Sequence, residues 1–404
     1  MYRKTYILLL ITLLIALLPS CQKTPENKVL IIAGQDDSHN WQASSSVLKE
    51  ILDITDLFIT DIMIAPEKGV DIQGFSPDFS KYNLVVIDYC GEEWSEKTKT
   101  EFVDFVKNGG GVVIFHSASI PFPDWKEYNE MTGLGGWSDR NEKDGPYIYY
   151  SGNELVIDTT KGIAGSHGEK HEFEIRTRIN DHPVTKDMPM KWMHGSDELY
   201  QQLRGPAKNM LVLATAYADT VFGGTGRHEP VLMAINYGKG RIFHSTLGHA
   251  EDKESQSILC TGFIITFQRG AEWAATGIVT QEIPADFPTA AGVVLRPDLK
   301  EMTLDEAFRN IGSYDIDKST KYFTFVRHQI RKAAGDEKIL AKLEKKMVAV
   351  LEDPNASAEA KKLILKELSW MGPDYCINVI KSLESDPELQ DYAEFALTRL
   401  NSNK

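Results

Sequence analysis

The sequence predicts a doubly wound, mostly parallel α/β sheet followed by an all-helical module. Three observations carry this prediction. Short apolar runs alternate with amphipathic stretches of helical spacing over residues 28–276. Those runs stop in glycines or in histidine-bearing loops, as buried strands do where a crossover begins. Beyond residue 300 only helical spacing continues.

Lys28-Val-Leu-Ile-Ile-Ala-Gly34 reads as the first buried strand. Residues 44–54 follow with Val47, Leu48, Ile51 and Leu52 on one helical face. Residues 57–64, 82–88 and 112–115 read as the second, third and fourth strands. A charged helix over 95–107 precedes the fourth, with Ser95 as its N-cap and Gly109-Gly-Gly111 as its stop. Residues 147–158 and 171–178 alternate like strands and suggest an inserted β segment. Residues 209–216, 230–237 and 241–246 read as further strands, and 255–273 as the amphipathic helix that closes the domain. The interval 277–300 contains Pro and Ala without a sustained period and reads as a linker. Over 301–404 six helical stretches follow, with Asp353-Pro354 and Asp386-Pro387 as punctuation marks. That pattern suits a HEAT-like array of helix pairs, with a plain helical bundle as the alternative.

The N-terminus predicts export. Arg3 and Lys4 precede an apolar stretch too short to span a membrane, and Leu17-Leu-Pro-Ser-Cys21 resembles a bacterial lipobox. On this reading residues 1–20 are a signal peptide and Cys21 carries lipid. Residues 21–27 are then a tether to a bacterial membrane surface, facing the periplasm or the cell exterior. A plain secretory signal with an incidental Cys is the alternative.

The formal charge, 44 basic against 58 acidic residues for a net of −14, excludes the electrostatic footprint of a nucleic-acid binder. Four cysteines in 404 residues exclude a disulfide scaffold. Nine of the ten histidines precede residue 250, so histidine chemistry belongs to the α/β part. His39, His116 and His249 each follow a strand end, where ligands of open α/β sheets bind. Imidazole suits proton transfer near neutral pH and also ligates metals. The alternative for each is a loop histidine bonded to backbone. Asp197-Glu198-Leu-Tyr200 offers two adjacent carboxylates, one expected in the cleft and the other in solvent. The aromatics Trp125, Tyr128, Trp137, Tyr147 and Tyr149 suit sugar rings or an ordinary core. Cys90 follows the third strand without a nucleophile-elbow motif and reads as a buried thiol. Gly223-Gly-Thr-Gly226 lacks a βαβ setting and carries no phosphate role.

Four stretches in order resemble the ThuA-like (trehalose utilisation) family. They are Gly109-Gly-Gly-Val-Val-Ile-Phe-His116-Ser-Ala-Ser119, His182-Pro-Val-Thr-Lys-Asp-Met-Pro189, Asp197-Glu-Leu-Tyr200, and Pro230 through Tyr237-Gly-Lys-Gly-Arg-Ile-Phe-His-Ser-Thr-Leu-Gly-His249. Arg269-Gly-Ala-Glu-Trp-Ala-Ala-Thr276 resembles family members with added modules. The resemblance implies a fold like class I glutamine amidotransferases, itself flavodoxin-like. Where those enzymes carry a Cys nucleophile, this chain has His116-Ser117. It also implies disaccharides or keto-sugars as substrates and a partner oxidoreductase that makes the keto-sugar.

The function expected from residues and resemblance together is His/carboxylate acid–base processing of a disaccharide, glycoside or 3-keto-glycoside. His116 and His39 would act as acid/base or polarising groups, with Glu198 and His249 as partners. Trp41, Ser117, Arg140, Asp197 and Tyr200 would contact substrate. No cofactor is required on this reading; a divalent metal is compatible with it, though no tight motif such as HExxH appears. The alternative is a non-catalytic carbohydrate-binding or scaffold lipoprotein that docks partner enzymes.

Overall fold

The computed structural model describes residues 27–299, 303–316, 321–333, 335–371 and 375–402. The expected signal peptide, residues 1–20, and Cys21 lie outside the described residues. The α/β part begins with β1 (Asn27–Gly34), α1 (Trp41–Asp53), β2 (Phe58–Ile64), β3 (Leu84–Tyr89), α2 (Glu96–Lys107), β4 (Gly111–Phe115) and α3 (Lys126–Thr132). Strands β5 (Tyr147–Ser151), β6 (Glu154–Asp158), β7 (Ser166–His167), β8 (His171–Thr177), β9 (Lys191–Asp197) and β10 (Tyr200–Gln201) form the inserted segment. Then come β11 (Met210–Tyr217), β12 (His228–Tyr237), β13 (Gly240–Ser245), α4 (Gln256–Leu259) and α5 (Thr261–Thr276).

The main sheet runs β2-β1-β3-β4-β13-β12-β11-β8-β9, with the β5–β6 hairpin paired to β12. From β2 to β13 all neighbours are parallel, the doubly wound half that the alternating runs predict. From β12 onward the pairing is antiparallel. Parallel neighbours need crossovers, and α1 and α2 supply them; the later strands are joined by turns and loops and need none. The stretch 147–158 becomes two strands, because Gly152 takes φ +61 at the two-residue turn.

Alternation along each central strand divides the core. Val29, Ile31 and Ala33 face the layer of α1 and α5, whereas Leu30 and Ile32 face the layer of α2 and α3. Both faces of β1 and β3 are covered, which explains their unbroken apolar runs. The closing helix differs from expectation. It breaks at Cys260, whose backbone is extended (φ −74, ψ 137) and bridges to Leu295. The segment after α5 is irregular yet packed. Arg296 Nε and Nη2 bond the Asp286 carboxylate at 2.8 and 2.6 Å, both side chains buried.

Helices α6 (Leu304–Ile311), α7 (Lys321–Lys332), α8 (Glu337–Glu352), α9 (Ala358–Met371), α10 (Ile377–Ser382) and α11 (Gln390–Ser402) follow with their own core, built around Met347, Ile364 and Leu368. No helix among the described residues is long and apolar enough to cross a membrane.

His244 on β13 is buried, and its Nδ1–H donates to the Thr132 carbonyl at 2.8 Å. Burial pushes its pKa down to about 4. In the unfolded chain it titrates near ~6.5, so between these values the unfolded state binds the extra proton. Its stabilising contribution is therefore complete above the unfolded value and lost as pH falls toward 4. The stability difference between wild type and His244→Asn should shrink across that interval by on the order of 1–3 kcal/mol. Paired urea melts at pH 7 and pH 4.5 check this.

Candidate functional site

The site forms at the carboxyl ends of β1, β4 and β13, beside the switch point where β2 and β3 leave β1 on opposite sides. Each histidine arrives by a short, specified path. After β1 the Asp36 carboxylate accepts the backbone N–H of Ser38 (2.9 Å) and His39 (3.1 Å), curling the loop. Asn40 then caps α1 through its side chain on Ala43 N–H. His116 directly follows β4 and starts a single 3-10 turn, with φ +44. After β13 the chain passes Gly248 at φ +115. A Cβ there would stand 2.4 Å from the Phe115 ring, so only glycine lets the loop carry His249 inward.

Glu198, between β9 and β10, is the centre of the cluster. Its Oε2 lies 3.1 Å from His249 Nδ1, 3.8 Å from His39 Nε2, 4.0 Å from His116 Nε2 and 3.9 Å from His167 Nε2. One ligand-type atom from each of His39, His116, Glu198 and His249 falls within 4.8 Å of all the others. These are the groups that could hold a metal; the alternative is that they hold protons.

The outer partners fix the rings. His39 Nδ1 sits 2.9 and 3.0 Å from the two Asp36 oxygens. His116 Nδ1 donates to the Thr246 carbonyl at 2.7 Å, and His167 Nδ1 to the Gly168 carbonyl at 2.9 Å. Lys170 Nζ donates to His249 Nε2 at 2.9 Å and also pairs with Glu251. Tyr200 stacks on His116 with centroids 4.3 Å apart, and its hydroxyl is 3.3 Å from His39 Nε2.

Charge follows from this packing. Burial opposes a charged His39, but the Asp36 and Glu198 carboxylates outweigh it and raise the pKa to about 9. Burial lowers His116 to about 3, with the neighbouring His39 charge adding to the effect. Burial opposes ionised Glu198 as well, yet His249 and His39 hold it far below the usual carboxylate range. At neutral pH the cluster then holds an anionic carboxylate, a cationic His39 and a neutral His116 whose buried Nε2 has no hydrogen-bond partner. Such a set can move a proton, polarise an oxygen or bind a cation.

The adjacent carboxylates do separate, but differently from expectation. Glu198 faces the cleft; Asp197 is fully buried rather than solvated. Its oxygens accept from Glu198 N (2.8 Å), Gly248 N (2.8 Å), His249 N (3.0 Å) and His194 Nε2 (2.7 Å). His194 Nδ1 in turn faces Cys260 Sγ at 3.1 Å. Arg140 is likewise buried, and its guanidinium donates to the Ile120, Pro121 and Gly136 carbonyls and to Asn129. It braces the loop after β4. Ser117 is buried and its hydroxyl supports the Asp36 carboxylate. Trp41 opens α1 half-buried against the core. Trp125 and Tyr128 belong to the core, whereas Trp137 lies 4.6 Å from Tyr200 at the site. Burial pushes the Cys90 thiol up to about 12, so it stays protonated.

Reading the sequence alone missed Asp36, His167 and Lys170. Asp36 stands three residues before His39 and had a legible signal, a turn-forming Asp beside a strand-end His. His167 lies on a two-residue strand that pairs with Tyr200, and no periodicity announces a strand of that length.

Fold and site together define a doubly wound α/β protein with an imidazole–carboxylate cluster at its strand ends. The chain belongs to the ThuA (trehalose utilisation) family, which it matches over residues 28–274. It is similar to a crystal structure of a protein described as ThuA-like from Parabacteroides merdae, with 48% identity and a TM-score of 0.67. That match covers 69% of this chain and 100% of that one. A second ThuA-like structure, from Bacteroides uniformis, is 17% identical with a TM-score of 0.42, covering 64% of this chain and 94% of that one. No curated protein matches the chain.

Removing the buried Asp197 carboxylate strands His194 and three backbone donors. Asp197→Ala should therefore lower the unfolding free energy by about 3–5 kcal/mol, measured by urea denaturation.

Proposed function

We propose that this chain processes a sugar or keto-sugar by acid–base chemistry at Glu198 and the surrounding imidazoles. The observation that carries the reading is the convergence of His39, His116 and His249 on one carboxylate at the strand ends of a trehalose-utilisation domain. A 3-keto-glycoside fits this chemistry. The hydrogen on the carbon beside its carbonyl is acidified, and the neutral His116 takes that proton on its unpartnered Nε2 as the C–H bond breaks. The electron pair moves into the enolate, whose oxygen is polarised by the cationic His39, held in place by Glu198 and Asp36. The pair then returns to that carbon with a proton on its opposite face, giving isomerisation to the epimer, or expels the glycosidic oxygen, which leaves with a proton from an imidazolium. No covalent enzyme intermediate is needed.

Trp41, Ser117, Arg140, Asp197 and Tyr200 shape the cleft on this reading. Tyr200 and Trp137 supply the aromatic wall; Arg140, Ser117 and Asp197 act through the loops they hold. Export with a lipid on Cys21 places the domain at a bacterial membrane surface, and the C-terminal helices, as a HEAT-like array, dock the oxidoreductase that supplies the keto-sugar.

Glu198→Gln and His116→Ala should each reduce turnover of 3-keto-glycosides by ~10²-fold or more, with the circular dichroism spectrum unchanged. The assay follows consumption of a panel of glycosides and their 3-keto forms by the purified protein. Full activity in a folded His116→Ala protein rejects the assignment.

A further inference from the structure

The proton inventory of the cluster leads to a cation. His116 Nδ1 and His167 Nδ1 face backbone carbonyls, which only accept, so both nitrogens carry hydrogen. His39 Nδ1 faces a carboxylate and carries hydrogen too. In neutral His116 and His167 rings Nε2 is therefore a lone pair, whereas the cationic His39 must give up its Nε2 hydrogen before that atom can ligate. All three Nε2 atoms point at Glu198 Oε2, itself an acceptor, from 3.8–4.0 Å. The His116 and His167 lone pairs and the anionic oxygen repel each other unless something positive lies between them, which is either the His39 proton or a metal that replaces it. His116 makes the case sharpest: its ring is 1% exposed and its Nε2 is unpartnered.

We propose that His39 Nε2, His116 Nε2 and Glu198 Oε2 bind a first-row divalent transition metal, with His249 Nδ1 as the fourth ligand, so that in the sugar-processing site proposed above the metal takes the place of the protons these atoms would otherwise hold. Imidazole and carboxylate donors suit Zn²⁺, Mn²⁺, Fe²⁺, Co²⁺ or Ni²⁺ and disfavour the all-oxygen preferences of Ca²⁺ and Mg²⁺. Ligand atoms at roughly 2.1 Å from a metal lie roughly 3.0–3.4 Å apart. His249 to Glu198 already meets that spacing at 3.1 Å, whereas the full set spreads to 4.8 Å, so the His39 and His116 rings must move inward by about an ångström to close on a metal. The outer partners are those that metal-bound imidazoles require: Asp36 behind His39 and the Thr246 carbonyl behind His116. His249 joins when Lys170 exchanges its contact with Nε2 for its ion pair with Glu251, which frees Nε2 to carry the hydrogen. His167, 40% exposed, stays outside the set at the cleft mouth.

The test is calorimetric titration of the chelator-stripped full chain with Zn²⁺, Mn²⁺, Co²⁺ and Ni²⁺ as chloride salts. At least one should bind with 1:1 stoichiometry and raise the melting temperature. Asp36→Asn, which leaves every ligand in place, should weaken that binding ~10–100-fold. His116→Ala and Glu198→Gln, verified as folded by circular dichroism, should lose it. Should a proton rather than a metal neutralise the cluster, no cation binds the wild type more tightly than millimolar, and the proposal falls. It falls equally if binding survives unchanged in both His116→Ala and Glu198→Gln. The readout uses metal alone, so it is decided apart from sugar turnover.

Discussion

The arrangement of the site depends on one buried carboxylate. Asp197 collects three backbone N–H groups from two separate loops and a fourth donor from His194. A buried charge is tolerated only when it is paired and its lone pairs are occupied, and here both conditions are met. Burial opposes the ionised form, but the His194 bond and the backbone donors hold the Asp197 pKa down, while Cys260 and Asp197 raise that of His194 to about 10. The consequence reaches past the pair itself. Glu198 and His249 come from β9 and β13, which are not neighbours in the sheet. Their backbones are tied to the same two oxygens, so the carboxylate and the imidazole of the cluster keep a fixed relation.

Around that knot the cluster carries features that destabilise a protein in isolation. His116 has a left-handed backbone and a buried nitrogen without a partner. Such features cost on the order of 1–3 kcal/mol each and persist only where the surroundings hold them. The surroundings are two apolar layers, one on each face of β1, β3 and β4. Strand-end residues therefore project from a rigid platform, and the strain falls at the rim, where a ligand can relieve it.

What was legible in the sequence follows from the same physics. The parallel half was readable because strands buried on both faces give unbroken apolar runs, and the loops after β1, β4 and β13 displayed their histidines. The antiparallel half was less so. β9 reads Lys-Trp-Met-His-Gly-Ser-Asp, and its His194 and Asp197 are buried by partners that sequence spacing cannot show. β7 and β10 are two residues long and exist through each other. The break at Cys260 follows from a contact with Leu295, thirty-odd positions away. Adjacent carboxylates at 197 and 198 were expected to diverge and do, but their surroundings exchange the expected solvent for four interior donors.

The turn after β4 bears most directly on the chemistry. A nucleophile placed on such a turn is lifted free of the sheet by a strained backbone, and His116 takes that place with φ +44. Imidazole at this position offers a lone pair to a proton or a metal, where a thiolate would form a covalent bond to carbon. The nearby thiol cannot replace it, because burial and the Asp36 charge keep Cys90 protonated. On the proposed reading, attack and covalent capture give way to groups that hold a proton or share a lone pair. Glu198, on the facing loop, supplies the negative charge that either of those roles needs. The backbone geometry of the turn is suited to presenting a nucleophile, but the side chain that stands on it is an imidazole.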